Sequence, residues 1–459
     1  MENPSQMFLN SSYNKNDNIE TDYMGFQIYN DFIVVDSKNL NFKTENKLTT
    51  SASFADYTKN AMTSLTKSVL NFKDYLMPSP VSINTLKNPM IFTVDNRSSE
   101  KIKFELDSLI LFTYRNHFYK ITNDLNNTNY ISDKGWGCAI RCGQMVLAKA
   151  LMNFNLFSPN IDSVKKIRKN IIELFFDNPL EISLSLKQKY EFKKFINYDT
   201  NNTSLTPNEE KYISLLKPFV SEISQCYKNK NQQYTLSPFG ILNILLLGKV
   251  LFNKQPGEWY SDVNILGIFT FIQNYMKVLQ NVEIIHFKEG YICEETLLRK
   301  CFNKDDETQN STDTNTINKN NTKYIFSKKG IIFVSIRLGL STVEKSYFSG
   351  IKKFFSIRHN IGFVGGKPRK AFYFIGKAEE GLIYLDPHTL HTAPENMMKL
   401  DEKLPQYKSK TFVLPLENLS PGLSVGFIFG NLDEYLELME DLTNYSKRED
   451  KIFDIKFFK

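Results

Sequence analysis

The sequence predicts an α+β fold, with a helix-rich first half and an antiparallel sheet in the second half. In the first half, small or apolar residues recur at helical spacing, most clearly Ala139, Cys142, Gly143, Val146, Leu147, Ala150 and Leu151. The carboxy-terminal third holds short runs rich in β-branched and aromatic residues that end on turn formers. These are Lys329–Leu340, Ala371–Ala378 and Gly381–Pro387. Ala378, Glu379, Glu380 and Gly381 make a short hairpin connection between the last two. Helices and strands segregated along the chain are the α+β pattern.

Length and composition bound the rest. A chain of 459 residues with 41% hydrophobic and 14% aromatic residues has enough apolar material to offset the entropy of folding. Its net charge of +7 comes from 57 basic against 50 acidic residues, interspersed rather than run together. Such a pattern describes a solvated surface and not a nucleic-acid footprint. The longest apolar run, near Gly240–Leu247 with Val250 and Leu251, is well short of the roughly 20 residues that span a bilayer. The amino terminus has neither a basic nor an apolar signal region, so a cytoplasmic location is expected.

Residues 1–87, rich in Asn, Ser, Thr and Lys, read as a low-complexity, largely disordered leader. A globular domain is expected over 88–445, with polar insertions near 197–211 and 308–323, and 446–459 as a carboxy-terminal tail.

Five cysteines, Cys138, Cys142, Cys226, Cys293 and Cys301, make a poor disulfide framework, and their spacing suits no zinc site. No metal or organic cofactor is expected. Free cysteines are usually small buried hydrophobes, but Cys138 differs by position. It follows the turn formers Asp133, Lys134, Gly135 and Gly137 and opens the helical pattern. Unpaired amides and the positive end of the helix dipole at such a position favour a thiolate and can face an oxyanion. Cys142 falls one turn on, in the apolar stripe, and reads as a packed core thiol. Trp136, just before Cys138, reads either as core or as the wall of a substrate cleft.

A nucleophilic thiol needs a base, and there are five histidines: His117, His286, His359, His388 and His391. Asp386 precedes His388 by two residues at the end of an apolar strand, and positions i and i+2 of an extended segment share a face. A carboxylate there can fix the imidazole tautomer and stabilise its protonated form. Asp-Pro-His is equally ordinary turn chemistry, so spacing leaves both readings open.

The segments SDKGWGCAIRCGQM (Ser132–Met145) and GGKPRKAFYFIGKAEEGLIYLDPHT (Gly365–Thr389) closely resemble the two signature regions of the autophagins, the autophagy-related cysteine peptidases of the papain-like superfamily. LFTYRNHF (Leu111–Phe118), QPGEWYSDVNI (Gln255–Ile265), IRLGL (Ile336–Leu340) and LSVGFIF (Leu423–Phe429) match in the same order. The resemblance covers roughly Asn88 to Tyr445.

It implies a papain-like cysteine protease fold and a Cys138, His388 and Asp386 triad, with Tyr114 helping to hold the oxyanion. Trp259 resembles the tryptophan that covers the family's substrate channel, opposite a loop placed here near Ser356–Asn360. The implied reaction is cleavage after the carboxy-terminal glycine of a ubiquitin-like autophagy modifier. Both the free precursor and the modifier conjugated to phosphatidylethanolamine are implied substrates, the second bringing transient membrane contact. A modifier-binding pseudoenzyme and a papain-superfamily acyltransferase are the alternative functions. The chain departs from the family at Phe372, where many relatives have a histidine, and in the Ser356–Asn360 loop, which lacks the familiar proline.

Overall fold

The computed structural model describes residues 26–29, 32–35, 79–155, 161–181, 205–226, 234–305, 315–320, 322–395 and 411–458. These belong to two units, Met1–Met77 and Pro78–Lys459. In the first, Phe26–Tyr29 pairs antiparallel with Phe32–Val35. The rest of the expected leader up to residue 78 lies outside the described residues.

Along the second unit come β1 (Met90–Ile91), β2 (Val94–Asp95), α1 (Ser99–Ser108), β3 (Tyr114–Asn123) and β4 (Thr128–Ser132). The helical half continues with α2 (Cys138–Asn155), α3 (Ile161–Glu173), α4 (Pro207–Cys226), α5 (Ile241–Phe252) and α6 (Asp262–Met276). Then follow β5 (Val282–Phe287), α7 (Glu294–Cys301), β6 (Lys329–Arg337), α8 (Phe348–Phe354), β7 (Asn360–Lys367) and β8 (Lys370–Lys377). The unit closes with β9 (Leu382–Leu385), β10 (Leu390–Thr392), β11 (Phe412–Leu414), β12 (Gly422–Phe429) and α9 (Leu432–Ser446).

Nine strands form the main sheet, in the order β11-β9-β8-β7-β12-β6-β5, with β1 added to β8 and β2 to β1. The expected antiparallel sheet is present with one exception: β5 and β6 run parallel. A parallel pair needs a long crossover, here supplied by α7 and the segments after it. Alternation along the strands sends side chains to two cores. Ile331, Phe333, Tyr373 and Ile375 join the core with α2, α5 and α6, while Ile332, Val334, Phe372 and Phe374 join the core with α8 and α9.

Helix α2 is buried on every side rather than along one apolar stripe. Internal partners for its buried polar side chains make that depth tolerable, although Arg141 Nη2 has no hydrogen-bond partner among the described residues. Gln144 Nε2 donates to the Phe239 carbonyl at 2.8 Å, and Lys149 Nζ donates to Glu105 at 2.5 Å. Gly143 lets α6 approach, since a Cβ there would lie 2.4 Å from Ile265.

Four stretches read as polar or peripheral are more structured than their composition suggests. Residues 207–211 open α4, because Thr206 and Glu209 exchange the backbone and side-chain bonds of a helix start. Within the second insertion, Thr316–Lys319 and Thr322–Phe326 form a hairpin that turns at Asn320, a residue suited to its φ of 52°. In the tail, Ile452 and Phe453 are buried and Asp454–Lys456 pairs parallel with Tyr291–Cys293. Residues 79–87, composed like the leader, are tied to this unit by Val81 pairing with Thr411 and by Lys87 N–H donating to Glu380.

Candidate active site

Helix α2 delivers Cys138 to the sheet at β7 and β8. The turn before it is set by Asp133, whose carbonyl accepts Trp136 N–H at 3.2 Å and Gly137 N–H at 2.9 Å. Glycine is required at 137, because a Cβ would fall 2.4 Å from Asp133 Oδ2. Asp133 also reaches both flanking elements. Its Oδ1 accepts the Arg115 N–H at 2.6 Å, and its Oδ2 accepts Arg141 Nε at 2.7 Å. Arg141 Nη1 donates on to Asp177 at 2.6 Å, and Arg115 Nε lies 3.5 Å from the same carboxylate. This buried network locks the Cys138 turn to strand β3, where Tyr114 immediately precedes Arg115.

Burial works against the charge on Arg141, but Asp133 and Asp177 outweigh it and favour the charged guanidinium. Arg141→Met leaves two buried carboxylates without their common partner and is expected to cost about 3–5 kcal/mol. Urea denaturation of the two proteins measures this. A cost below about 1 kcal/mol would show that water or Arg115 replaces the lost charge.

His388 and Asp386 follow β9. Asp386 Oδ1 accepts both the His388 backbone N–H at 2.9 Å and its Nδ1 at 2.5 Å. Burial raises the Asp386 carboxyl, but bonds from His388 and the charge of Lys370 bring it below the usual range. The segment is pinned to β3, since Tyr114 N–H donates to the Pro387 carbonyl at 2.9 Å and β10 pairs parallel with β3. Tyr114 and Phe372 set their rings edge-on to the imidazole at 5.4 and 5.6 Å between centroids. Phe372, at the position where the family often carries histidine, therefore walls the imidazole instead of bonding to it. His388 Nε2 is buried and has no conventional hydrogen-bond partner among the described residues.

Burial would raise the Cys138 thiol, yet the His388 imidazole, the Ala371 backbone N–H and the Tyr114 hydroxyl bring it below the ordinary thiol value. Burial would lower His388, yet Asp386 and Cys138 push it up to about 9. The shifts oppose each other in the sense that favours a thiolate–imidazolium pair. Tyr114 is pushed well above the usual phenol value, by burial first and Cys138 second, so it remains a hydroxyl donor. Cys142 is fully buried and its thiol is raised well above normal by burial and by Cys138, as expected of a core thiol.

A cleft of about 180 Å³ is lined by Cys138, Trp136 and Trp259 together with the β7–β8 hairpin. Trp136 is buried and Trp259 is 45% exposed, so the two indoles meet this cleft differently. The Ser356–Asn360 loop, expected opposite Trp259, does not line it. Arg358 and His359 instead bond to Asp441, Glu440 and Glu437 on α9.

Three of the four other histidines are engaged elsewhere: His286 with Ser335, His359 with Glu437 and His391 with Thr113. Sequence reasoning missed Asp133, Arg141, Asp177 and the Ala371 amide. The first two stand inside the quoted signature segment, but the contacts that give them a role are long-range.

A thiol at a helix amino terminus, facing an imidazole–carboxylate pair on a sheet, is the arrangement of a papain-like cysteine peptidase. The sequence model of the peptidase C54 catalytic domain matches residues 99–441, well over half of the chain. The chain belongs to this family and is a cysteine peptidase. It is similar to cysteine protease ATG4C of Xenopus laevis, with 25% identity over 369 residues covering 77% of this chain and 72% of that protein. ATG4C of Homo sapiens is 26% identical over 381 residues, covering 77% and 73%. Cysteine protease atg4 of Dictyostelium discoideum is 25% identical over 415 residues, covering 76% and 53%.

Proposed function

We propose that the chain hydrolyses the bond after the carboxy-terminal glycine of a ubiquitin-like autophagy modifier, both in the precursor and in the modifier amide-linked to phosphatidylethanolamine. The opposed shifts of Cys138 and His388, with Cys138 lining a cleft beside two tryptophans, carry this reading. The Cys138 thiolate adds to the glycine carbonyl carbon, and the oxyanion is held by Tyr114 and the Cys138 backbone N–H. The carbon–nitrogen bond then breaks as His388 gives its proton to the departing amine. Water, deprotonated by His388, adds to the thioester and releases the glycine carboxylate with the thiol. Asp386 keeps the imidazole in the required tautomer throughout.

A cleft of about 180 Å³ admits an extended chain of small residues more readily than one with bulky side chains, which suits a terminal glycine. No helix among the described residues is long and apolar enough to cross a membrane. We place the enzyme in the cytoplasm, meeting membranes transiently through the conjugated substrate.

Mass measurement of a modifier precursor incubated with the protein tests the reading. The expected product ends at glycine, and an intact precursor or a different terminus would overturn it. Tyr114→Phe removes one oxyanion donor and is expected to lower kcat about 10 to 1000-fold with KM nearly unchanged. Steady-state kinetics that moved KM alone would take Tyr114 out of the oxyanion site.

A further inference from the structure

A row of polar side chains crosses three adjacent strands of the main sheet and ends at the active-site cleft. His286 Nε2 on β5 lies 2.8 Å from Ser335 Oγ on β6, and Ser335 Oγ lies 2.7 Å from Ser424 Oγ, its register partner on β12. The Ser424 hydroxyl then donates to Asp262 Oδ2 at 2.5 Å, where α6 begins. Burial raises the Asp262 carboxyl, while the Ser424 hydroxyl and the first amides of α6 oppose that rise. The carboxylate sets the direction of every bond in the row. Ser424 gives its one proton to Asp262, so the Ser335 hydroxyl donates to Ser424 and His286 Nε2–H donates to Ser335. Burial and Lys288 hold His286 down to about 4, which leaves it neutral with Nδ1 bare. That atom is buried and has no hydrogen-bond partner among the described residues. Hydrogen bonds aligned head to tail polarise one another, so the whole row strengthens the bond between Ser424 and Asp262.

That bond joins the two walls of the cleft. One wall comes from the helical half, with Cys138, Trp259 and Asp262, and the other from β7, β8 and the start of β12, with Gly365 and Gly422. Asp262 stands on a firm support, since Tyr260 is buried and Ser261 and Asn264 form a capping box at the start of α6. Beyond Asp262 lies a second, larger cavity of about 770 Å³. Among the described residues, Asp262 and Gly422 line both openings. Gly422 adds only backbone, and a Cβ there would meet nothing within 4 Å. The side chain that separates the cleft from the larger space is therefore Asp262. Ser424, which shares a strand face with Gly422, holds it in place.

We propose that Asp262, clasped to Ser424, is a specificity-determining residue that closes the far side of the glycine position and removes the room a side chain there would need. The inference rests on the cleft taking the modifier's terminal glycine. With the clasp opened, the cleft of about 180 Å³ gains access to the larger cavity, and a methyl group on that residue finds space.

The test compares two modifier precursors, one with glycine and one with alanine before the scissile bond. Each is cleaved by the wild type, Asp262→Ala, Ser424→Ala and the double variant. The wild type is expected to favour glycine by about 10 to 200-fold in kcat/KM, the range one methyl group commands in a closed pocket. Either single variant should lower that ratio by about tenfold. The double variant should lower it no further, because both residues belong to one bond. Ser424→Ala removes only a hydroxyl, so it reports on the bond even where Asp262→Ala unfolds the start of α6. A wild-type ratio near one overturns the assignment. So does a loss of activity that leaves the ratio unchanged, or a double variant in which the two effects add. If the wild type cleaves neither precursor, the proposed function fails, and the clasp is decided by alkylation of Cys138 with iodoacetamide and with N-phenylmaleimide. The variants should raise the rate with the bulkier reagent relative to the smaller one, and an unchanged ratio would overturn the clasp.

Discussion

Cys138→Ala is expected to lower turnover by at least about 10⁴-fold while substrate binding stays near that of the wild type. In the proposed reaction the thiol supplies the bond-forming atom, but one buried sulfur contributes little of a protein-sized interface. Cys142, one helical turn away, cannot take over. It is fully buried and its thiol is held far above the ordinary value, so it supplies almost no thiolate near neutral pH. Single-turnover cleavage and equilibrium binding, measured on one preparation, separate the two effects. Residual turnover within about 100-fold of wild type would place the nucleophile elsewhere.

Asp386→Asn carries the second largest expected effect, a fall in kcat of about 10³ to 10⁴-fold. The introduced amide could still bond to Nδ1, but it neither enforces the tautomer nor balances an imidazolium. The variant should also move a pH profile. In the wild type, His388 remains protonated up to about 9, and its charge keeps the Cys138 thiol below its ordinary value. Reactivity towards iodoacetamide therefore rises below the ordinary thiol range, and the ion pair is lost as pH rises through about 9. Without the carboxylate, burial dominates and His388 titrates lower. The imidazolium is then lost at lower pH and the thiol returns upward. An unchanged alkylation profile, whatever the loss of kcat, would make Asp386 a turn residue.

How much is legible in the sequence follows from the range of the interactions. Local periodicity marks α2 and three strands of the sheet, because alternation and helical spacing are written within a few residues. The Asp386 and His388 pair is visible for the same reason, two positions on one strand end. Non-local geometry is not. Asp133 reads only as a turn former, yet it joins the Cys138 turn to β3 through bonds to Arg115 and Arg141. Arg141 has no legible role in the sequence because its partner Asp177 is 36 residues away. Resemblance places the Ser356–Asn360 loop opposite Trp259, but Arg358 and His359 find carboxylates on α9, whose position no local pattern encodes. The second polar insertion shows the limit of composition, since Asn- and Thr-rich sequence still pairs across Thr316–Phe326 when a turn at Asn320 permits it.

Whether Cys138 is the nucleophile can be read from a single covalent adduct, using a modifier whose terminal glycine carries a vinyl ester electrophile in place of the scissile carbonyl. Incubation with the intact protein, digestion and peptide mass mapping identify the thiol that reacts. One adduct per chain is expected, on Cys138, formed at a rate that Asp386→Asn lowers. An adduct on Cys142, Cys226, Cys293 or Cys301, or none on Cys138, would contradict the assignment.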